Sequence, residues 1–275
     1  MASAPGSLTL VATPIGNLGD ITVRALEVLK TASVILAEDT RHSRRLLNHY
    51  AISTPCIAYH DHNEARVTPA LIERMKRGEK MALITDAGTP GISDPGFYLV
   101  RAALAAGIDV TTAPGPSALL AALPLSGFPC ETFVFVGFTP KKTGELSKMV
   151  DDLVNEPRTT VFYVAPHQLR KVIDAIADRL PQRELAVAKE LTKMHEHVVR
   201  GTATEVKTRI DPTMPRGEFV LIVKGLGWRK RDRVRAEPGD GTEDSGRARD
   251  LGDEFEERDR GEEKDRDHEG EDERE

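Results

Sequence analysis

The chain has 275 residues, 39% of them hydrophobic and 30% charged, and a net charge of −6 at pH 7, enough length for two domains with cores of their own. The charge is uneven: from Leu226 onward stand 12 Lys+Arg and 20 Asp+Glu, a net of −8, leaving 26 and 24 in the first 225 residues, a net of +2. Two cysteines without metal-like spacing, Cys56 and Cys130, exclude a disulfide framework and a zinc site; no signal peptide or membrane-length apolar run is present, so a soluble, cytoplasmic protein is expected.

LTLVA opens the chain as a short apolar strand and gives way at once to the loop TPIGN, Thr13 to Asn17. A helix follows over Ile21 to Thr31, with Val23, Leu26, Val28 and Leu29 at helical spacing and Asp20 as its N-cap. Strand SVILA leads into EDTRH, Glu38 to His42, and a helix beginning near Thr40; a short apolar piece leads into YHDHNE, Tyr59 to Glu64. Glu64 to Arg77 and Gly96 to Ala106 read as helices ended by Gly78 and Gly107. Between them lies Met81 to Gly96, MALITDAGTPGISDPG, a buried strand followed by a loop of Asp, Gly, Thr, Pro and Ser. DVTT precedes APGPSA, Ala113 to Ala118. Parallel strands joined by helices end on one edge, so these five loops are expected to converge on one cleft.

After Pro124 the Gly/Pro-rich PLSGFPCE marks a domain boundary. A second α/β unit is predicted from strand Phe133 to Gly137, helix Thr143 to Val154, strand Thr159 to Val164, helix His167 to Leu180 and strand Glu184 to Glu190. A hairpin partner near His197 to Arg200, a short helix near Thr204 to Ile210 and a last strand Glu218 to Lys224 complete it. The layout is two α/β domains, 7–124 and 125–225, followed by a tail, 226–275. Gly239 to Glu275 has too few apolar residues to offset the entropy of ordering and is expected to be disordered. Its basic start, Trp228 to Arg235, is read as a solvated charge run, with loose RNA contact as the alternative.

The loops lack G-x-G-x-x-G, G-x-x-x-x-G-K-[ST] and G-x-S-x-G, so the dinucleotide, P-loop and hydrolase signatures are missing. What they do carry is TPIGNLGD, AEDTRHS, YHDHNE, TDAGTPGISDPG, PGPSA and KELTKMHE, in that order from Thr13 to Glu196. These motifs resemble the ribosomal RNA small subunit methyltransferase I family, over roughly Ser7 to Gly225. A first loop of TPIGNLGD rather than the G-x-G-P-G-D type sets the chain apart from tetrapyrrole C-methylases and diphthine synthases. The resemblance implies two domains of the tetrapyrrole methylase type with a cofactor cleft between them, and methylation of a cytidine ribose 2′-hydroxyl in small-subunit rRNA. It also implies S-adenosylmethionine as donor, action within the assembled 30S subunit, and a homodimer.

Matched motif by motif, the resemblance puts Pro14, Asp86, Ala87, Gly88, Ile92, Ser117 and Ala118 near the cofactor. From the second domain it adds Phe162, Tyr163, Ala188, Gly217 and Glu218. Gly and Pro loops suit this ligand because they let the backbone come close. Methyl transfer to a hydroxyl needs alignment first and a proton acceptor second. Candidate groups at the cleft edge are Glu38, Asp39, His42, His60, His62, Glu64, Lys193, His195 and Glu196, with Asp39, Lys193 and Glu196 as the catalytic shortlist. Each has a duller role: Asp39 as a helix cap, Lys193 and Glu196 as an exposed ion pair. His60 with His62 and His195 with His197 stand two apart, a spacing common by chance, and no metal site is expected. Arg41, Arg44 and Arg45, at i, i+3 and i+4, form a stripe on one helix face for RNA phosphates, or simply a solvated face. The alternatives kept open are a tetrapyrrole or protein methylase of the same fold, and a non-catalytic RNA-binding protein.

Overall fold

The computed structural model describes residues 6–210 and 217–227. The tail from Trp228 on, with its basic run and its expected disorder, lies outside the described residues. Nine elements build the first half: β1 (Ser7–Val11), α1 (Val23–Thr31), β2 (Val34–Ala37), α2 (Thr40–His49), β3 (Cys56–Ala58), α3 (Glu64–Lys76), β4 (Lys80–Ile84), α4 (Phe97–Ala105) and β5 (Asp109–Ala113). The five strands form an all-parallel sheet in the order β3-β2-β4-β1-β5. A parallel sheet needs cover on both faces, which is why VILA and MALI run apolar without alternation. Leu8, Leu36, Met81 and Leu83 bury against Leu71, Met75 and Leu99 on one side. Val11, Ile35, Ala82 and Ile84 bury against Ala25, Leu29, Leu46 and Leu47 on the other.

The second half comprises β6 (Phe133–Phe138), α6 (Thr143–Val154), β7 (Thr159–Val164), α7 (Pro166–Arg179), β8 (Glu184–Lys189), β9 (His197–Thr202), α8 (Ala203–Arg209) and β10 (Phe219–Val223). Its sheet runs β6-β7-β10-β8-β9, parallel only between β6 and β7. One face is covered by α6, α7 and α8 through Leu146, Leu153, Leu169, Ile173 and Val206. The other face is covered by α5 (Ala118–Leu125), a helix absent from the sequence reading, whose Leu119, Ala122 and Leu123 pack on Val161, Ala186, Ala188 and Ile222. Arg200 of β9 holds its end, donating from Nε to the Leu125 carbonyl at 2.7 Å, a cationic cap on an orphan carbonyl.

Boundaries move by a residue or two where local chemistry decides. Helix α1 starts after Thr22, not Asp20, because the Thr22 hydroxyl accepts from the Ala25 N–H at 3.1 Å while Asp20 closes a short 3-10 turn, Leu18–Asp20. Helix α7 starts at Pro166, whose missing N–H costs nothing at a first turn. Helix α8 begins with a full capping box between Thr202 and Glu205.

Candidate functional site

The carboxyl ends of β1, β2, β4 and β5 open onto a cleft of about 370 Å³, closed on its other side by the second sheet. The first wall is Ile15, Glu38, the stretch from Asp86 to Thr89, Ile92 to Asp94, Ser117 and Ala118; the second is Phe138, Tyr163 to Pro166, Ala188, Leu191 and Glu218 to Val220. The loops are cross-linked through backbone. Thr13 N–H donates to the Gly88 carbonyl at 2.8 Å and Gly88 N–H returns the bond at 3.0 Å. The Thr89 hydroxyl donates to the Pro116 carbonyl at 3.2 Å, and Tyr163 Oη accepts from the Leu119 N–H at 3.3 Å. Four of the five expected loops therefore meet here. The fifth, Tyr59 to Glu64, stays off the cleft wall, although the charge of its Asp61 reaches Glu38 and Asp94.

The electrostatics of the cleft are one-sided. Glu38, Asp86, Asp94 and Glu218 line it, and among the described residues no Lys, Arg or His does. Burial, then the charges of Glu38 and Asp86, push Asp94 up to about 7; burial, then Asp86, raise Glu38. Two of these carboxylates are tied to backbone: Asp86 Oδ1 accepts from the Asp39 N–H at 3.1 Å, and Glu38 accepts from the Asp86 N–H. Glu218 is exposed and paired with Lys193 at 3.3 Å, while Glu38, Asp86 and Asp94 are half-buried. Crowding like charges in a half-buried site is costly, and a cation arriving among them relieves that cost.

Of the residues matched to the cofactor, Asp86, Ala87, Gly88, Ile92, Ser117, Ala118, Tyr163, Ala188 and Glu218 line the cleft. Pro14 does not, though its neighbours Thr13 and Ile15 bracket the Gly88 bridge. Phe162 is 1% exposed in the core under α6 and α7, because alternation along β7 sends it to the face opposite Tyr163. Gly217 leaves room for Glu190, whose carboxylate a Cβ there would meet at 2.8 Å and which accepts from the Glu218 N–H at 2.8 Å.

The catalytic shortlist lies off the cleft wall. Asp39 caps α2, accepting from the Arg41 and His42 amides at 2.7 and 3.4 Å, bonds that hold its carboxyl below the usual range. Glu196 is exposed and accepts from the Thr192 N–H at 2.6 Å. Lys193 Nζ sits between Glu190 at 3.0 Å and Glu218 at 3.3 Å. Burial pulls its pKa down, but the two carboxylates outweigh burial and the net shift is upward. Its stem crosses Gly16, where a Cβ would lie 2.5 Å from Lys193 Cγ; that is what the glycine of TPIGN is for. The segment is strained, with Glu190 and Thr192 at φ of 51° and 67°.

Arg41, Arg44 and Arg45 are all exposed on α2, which starts beside Glu38, and among the described residues none of them forms an ion pair. His60 and His62 meet edge-on at 6.0 Å between ring centroids, and no group of His, Cys, Asp and Glu among the described residues is arranged to hold a metal. Asp94 and Phe138 are among the cleft residues that the motifs did not single out. Both stood within reach, Asp94 inside the quoted loop and Phe138 one position past a predicted strand end.

Comparison with known proteins agrees with this architecture. The family of tetrapyrrole (corrin/porphyrin) methylases matches residues 7–207. The chain is 50% identical over 226 residues to ribosomal RNA small subunit methyltransferase I of Xylella fastidiosa, covering 81% of this chain and 83% of that protein. It is 48% identical over 221 residues to the protein of that name from Synechocystis, covering 80% and 79%. Among solved structures it resembles uroporphyrin-III-C-methyltransferase from Thermus thermophilus, with a TM-score of 0.57 and 21% identity over 81% of this chain and 96% of that one. Diphthine synthase matches with a TM-score of 0.57 and 14% identity over 80% and 90%.

Proposed function

Because the chain belongs to the tetrapyrrole methylases and, within them, to the ribosomal RNA small subunit methyltransferase I family, we propose that it methylates the 2′-hydroxyl of a cytidine ribose in 16S rRNA with S-adenosylmethionine as donor. The observation that carries the choice of donor is the set of cleft carboxylates, Glu38, Asp86 and Asp94, with no Lys, Arg or His among the described residues of the same walls. S-adenosylmethionine brings a sulfonium and an ammonium to such a site, whereas its thioether product lacks the sulfonium charge. The apolar remainder of the walls, Ile15, Ala118, Ala188 and Leu191, suits the flat and aliphatic parts of that molecule.

When bound, the donor supplies an electrophilic methyl for in-line displacement, and alignment of the attacking hydroxyl accounts for most of what the protein must add. Glu38 and Asp86, pinned by backbone amides, hold the cationic end in place. Asp94 adds a carboxylate with no backbone anchor. The proton that leaves the hydroxyl is taken by a carboxylate facing the cleft, since Lys193 is held as a cation by two carboxylates, Asp39 caps α2 and Glu196 accepts from the Thr192 amide. Lys193 instead braces Glu218 and the strained loop against Gly16. RNA phosphates dock on Arg41, Arg44 and Arg45, beside the cleft rather than in it.

A homodimer acting on the assembled 30S subunit fits the exposed apolar face of α4, where Phe97 is 72% and Leu104, two turns on, 61% exposed. The test is transfer of labelled methyl into assembled small subunits, naked rRNA and a tetrapyrrole precursor, followed by mass-spectrometric mapping of the modified nucleotide. Label in a cytidine ribose of the rRNA is the expected result; label in the tetrapyrrole alone refutes the reading.

A further inference from the structure

Strand β6 carries a bulge at its cleft end. Its pairing with β7 steps from Phe135 opposite Val161 to Gly137 opposite Phe162 and Phe138 opposite Tyr163, leaving Val136 as the extra residue. Gly137 takes φ of 86°, a conformation open to glycine and strained for other residues. In an unbroken strand Phe135 and Phe138, three positions apart, would face opposite sides of the sheet. The inserted residue reverses that parity. Both rings now meet Tyr163 edge-on, at 4.9 and 5.5 Å between centroids.

The two phenylalanines end in different surroundings. Phe135 is half-buried against the core between α5 and the second sheet. Phe138 lies in the cleft wall with 60% of its surface exposed. Leaving a phenylalanine largely in water forgoes part of its burial free energy, and here a backbone irregularity is what directs it there. The other aromatic rings of the cleft, Tyr163 and Phe219, are half-buried and buried. Beside Phe138 stands the loop after β4: a Cβ at Gly137 would lie 3.4 Å from Ser93 Oγ, and Ile92 of that loop is 40% exposed.

We propose that Phe138 is the platform on which the base of the target nucleotide stacks while its ribose is methylated, an inference that rests on the RNA methyltransferase reading above. A 2′-hydroxyl reaches into the cleft only if its sugar does. The base on that sugar then lies at the mouth, unstacked from its RNA neighbours. An exposed ring supplies the lost π face, and every base has one to offer in return. Tyr163, held by the Leu119 amide, fixes the tilt of the platform. Ile92 offers an apolar contact from the neighbouring loop.

The experiment uses the full chain, small subunits from cells lacking this gene, and labelled S-adenosylmethionine. Phe138→Leu, which keeps apolar contact with Tyr163, and Phe138→Ala should both raise KM for the subunits about five- to 150-fold, the span that stacking of ~1–3 kcal/mol per base gives. Phe138→Trp should restore KM to near the native value. Affinity for S-adenosylhomocysteine, by calorimetry, should stay unchanged in all three. An unaltered KM in Phe138→Leu overturns the inference. So does a loss of S-adenosylhomocysteine affinity as large as the rise in KM, which would mean that the ring serves the cofactor's adenine. If the native chain labels no RNA, the underlying reading fails and takes this inference with it; the native control separates that outcome from the other two.

Discussion

Replacing Asp94 with Asn should make the protein more stable and a weaker binder of its methyl donor at the same time. The carboxyl is raised from an ordinary 3.8 to about 7 by burial and by Glu38 and Asp86. In the unfolded chain the group ionises near 3.8, so between that pH and about 7 the folded state holds a proton that the unfolded state has lost. Stability therefore falls as pH rises through this window, and above 7 the full penalty of a buried carboxylate remains. At 1.36 kcal/mol per pH unit the gap corresponds to ~4 kcal/mol, and water in an open cleft reduces this to about 2. For a chain of this size that is a melting-temperature gain of roughly 4–8 °C at pH 8, shrinking to nothing near pH 4. S-adenosylmethionine affinity should drop about five- to 150-fold, from ~1–3 kcal/mol of lost attraction between opposite charges. The thioether product, which keeps the ammonium but lacks the sulfonium charge, should lose less. Thermal melts from pH 4 to 8 and paired calorimetric titrations check both halves. An Asn variant equally stable at pH 8, or one that loses both ligands alike, refutes the charge-crowding argument.

Three further outcomes follow from the same geometry. Lys193→Met should lower the methylation rate constant by less than tenfold and leave the shape of its pH profile intact, because Lys193 is a brace held cationic by Glu190 and Glu218; a loss of 10²-fold or more with one limb of the profile gone is the signature of a base. Arg44→Glu combined with Arg45→Glu should weaken RNA binding and flatten its salt dependence without changing S-adenosylhomocysteine affinity, and equal retention in a filter-binding titration removes the α2 stripe from the reading. Leu123→Ala, at 3% exposure between α5 and the second sheet, should cost ~2–5 kcal/mol in urea unfolding; a cost under 1 kcal/mol means that α5 is not part of that core.

Much of the fold was legible because its signals are local. Helix α6 and strand β7 fall on the predicted residues, since TGELSKMVDDLV has a clear helical stripe and TTVFYV is β-branched and aromatic. Helix α5 was not legible. ALLAALPL is apolar on all sides and contains a proline, so it shows no helical periodicity, although its Ala and Leu favour a helix; the second sheet, packed against Leu119, Ala122 and Leu123, supplies the partner that the sequence does not display. Phe162 and Tyr163 illustrate the same limit at the site. Adjacent in a matched motif, they point to opposite faces of β7, and only the packing of the two faces decides that Tyr163 meets the cleft while Phe162 goes under α6 and α7. The pairing of Lys193 with both Glu190, three residues away, and Glu218, 25 residues away, is a matter of three-dimensional distance that the motif KELTKMHE does not record.

The sequence by itself determined the strands, the polar loops at their ends, and through long motifs in register the family, because backbone propensity and loop chemistry are written in neighbouring residues. Only the tertiary structure decided which acids crowd one another, which lysine is already paired, and which phenylalanine a one-residue bulge turns into the cleft. Electrostatics and strand parity depend on distances between segments far apart in the chain, and no local pattern records those distances.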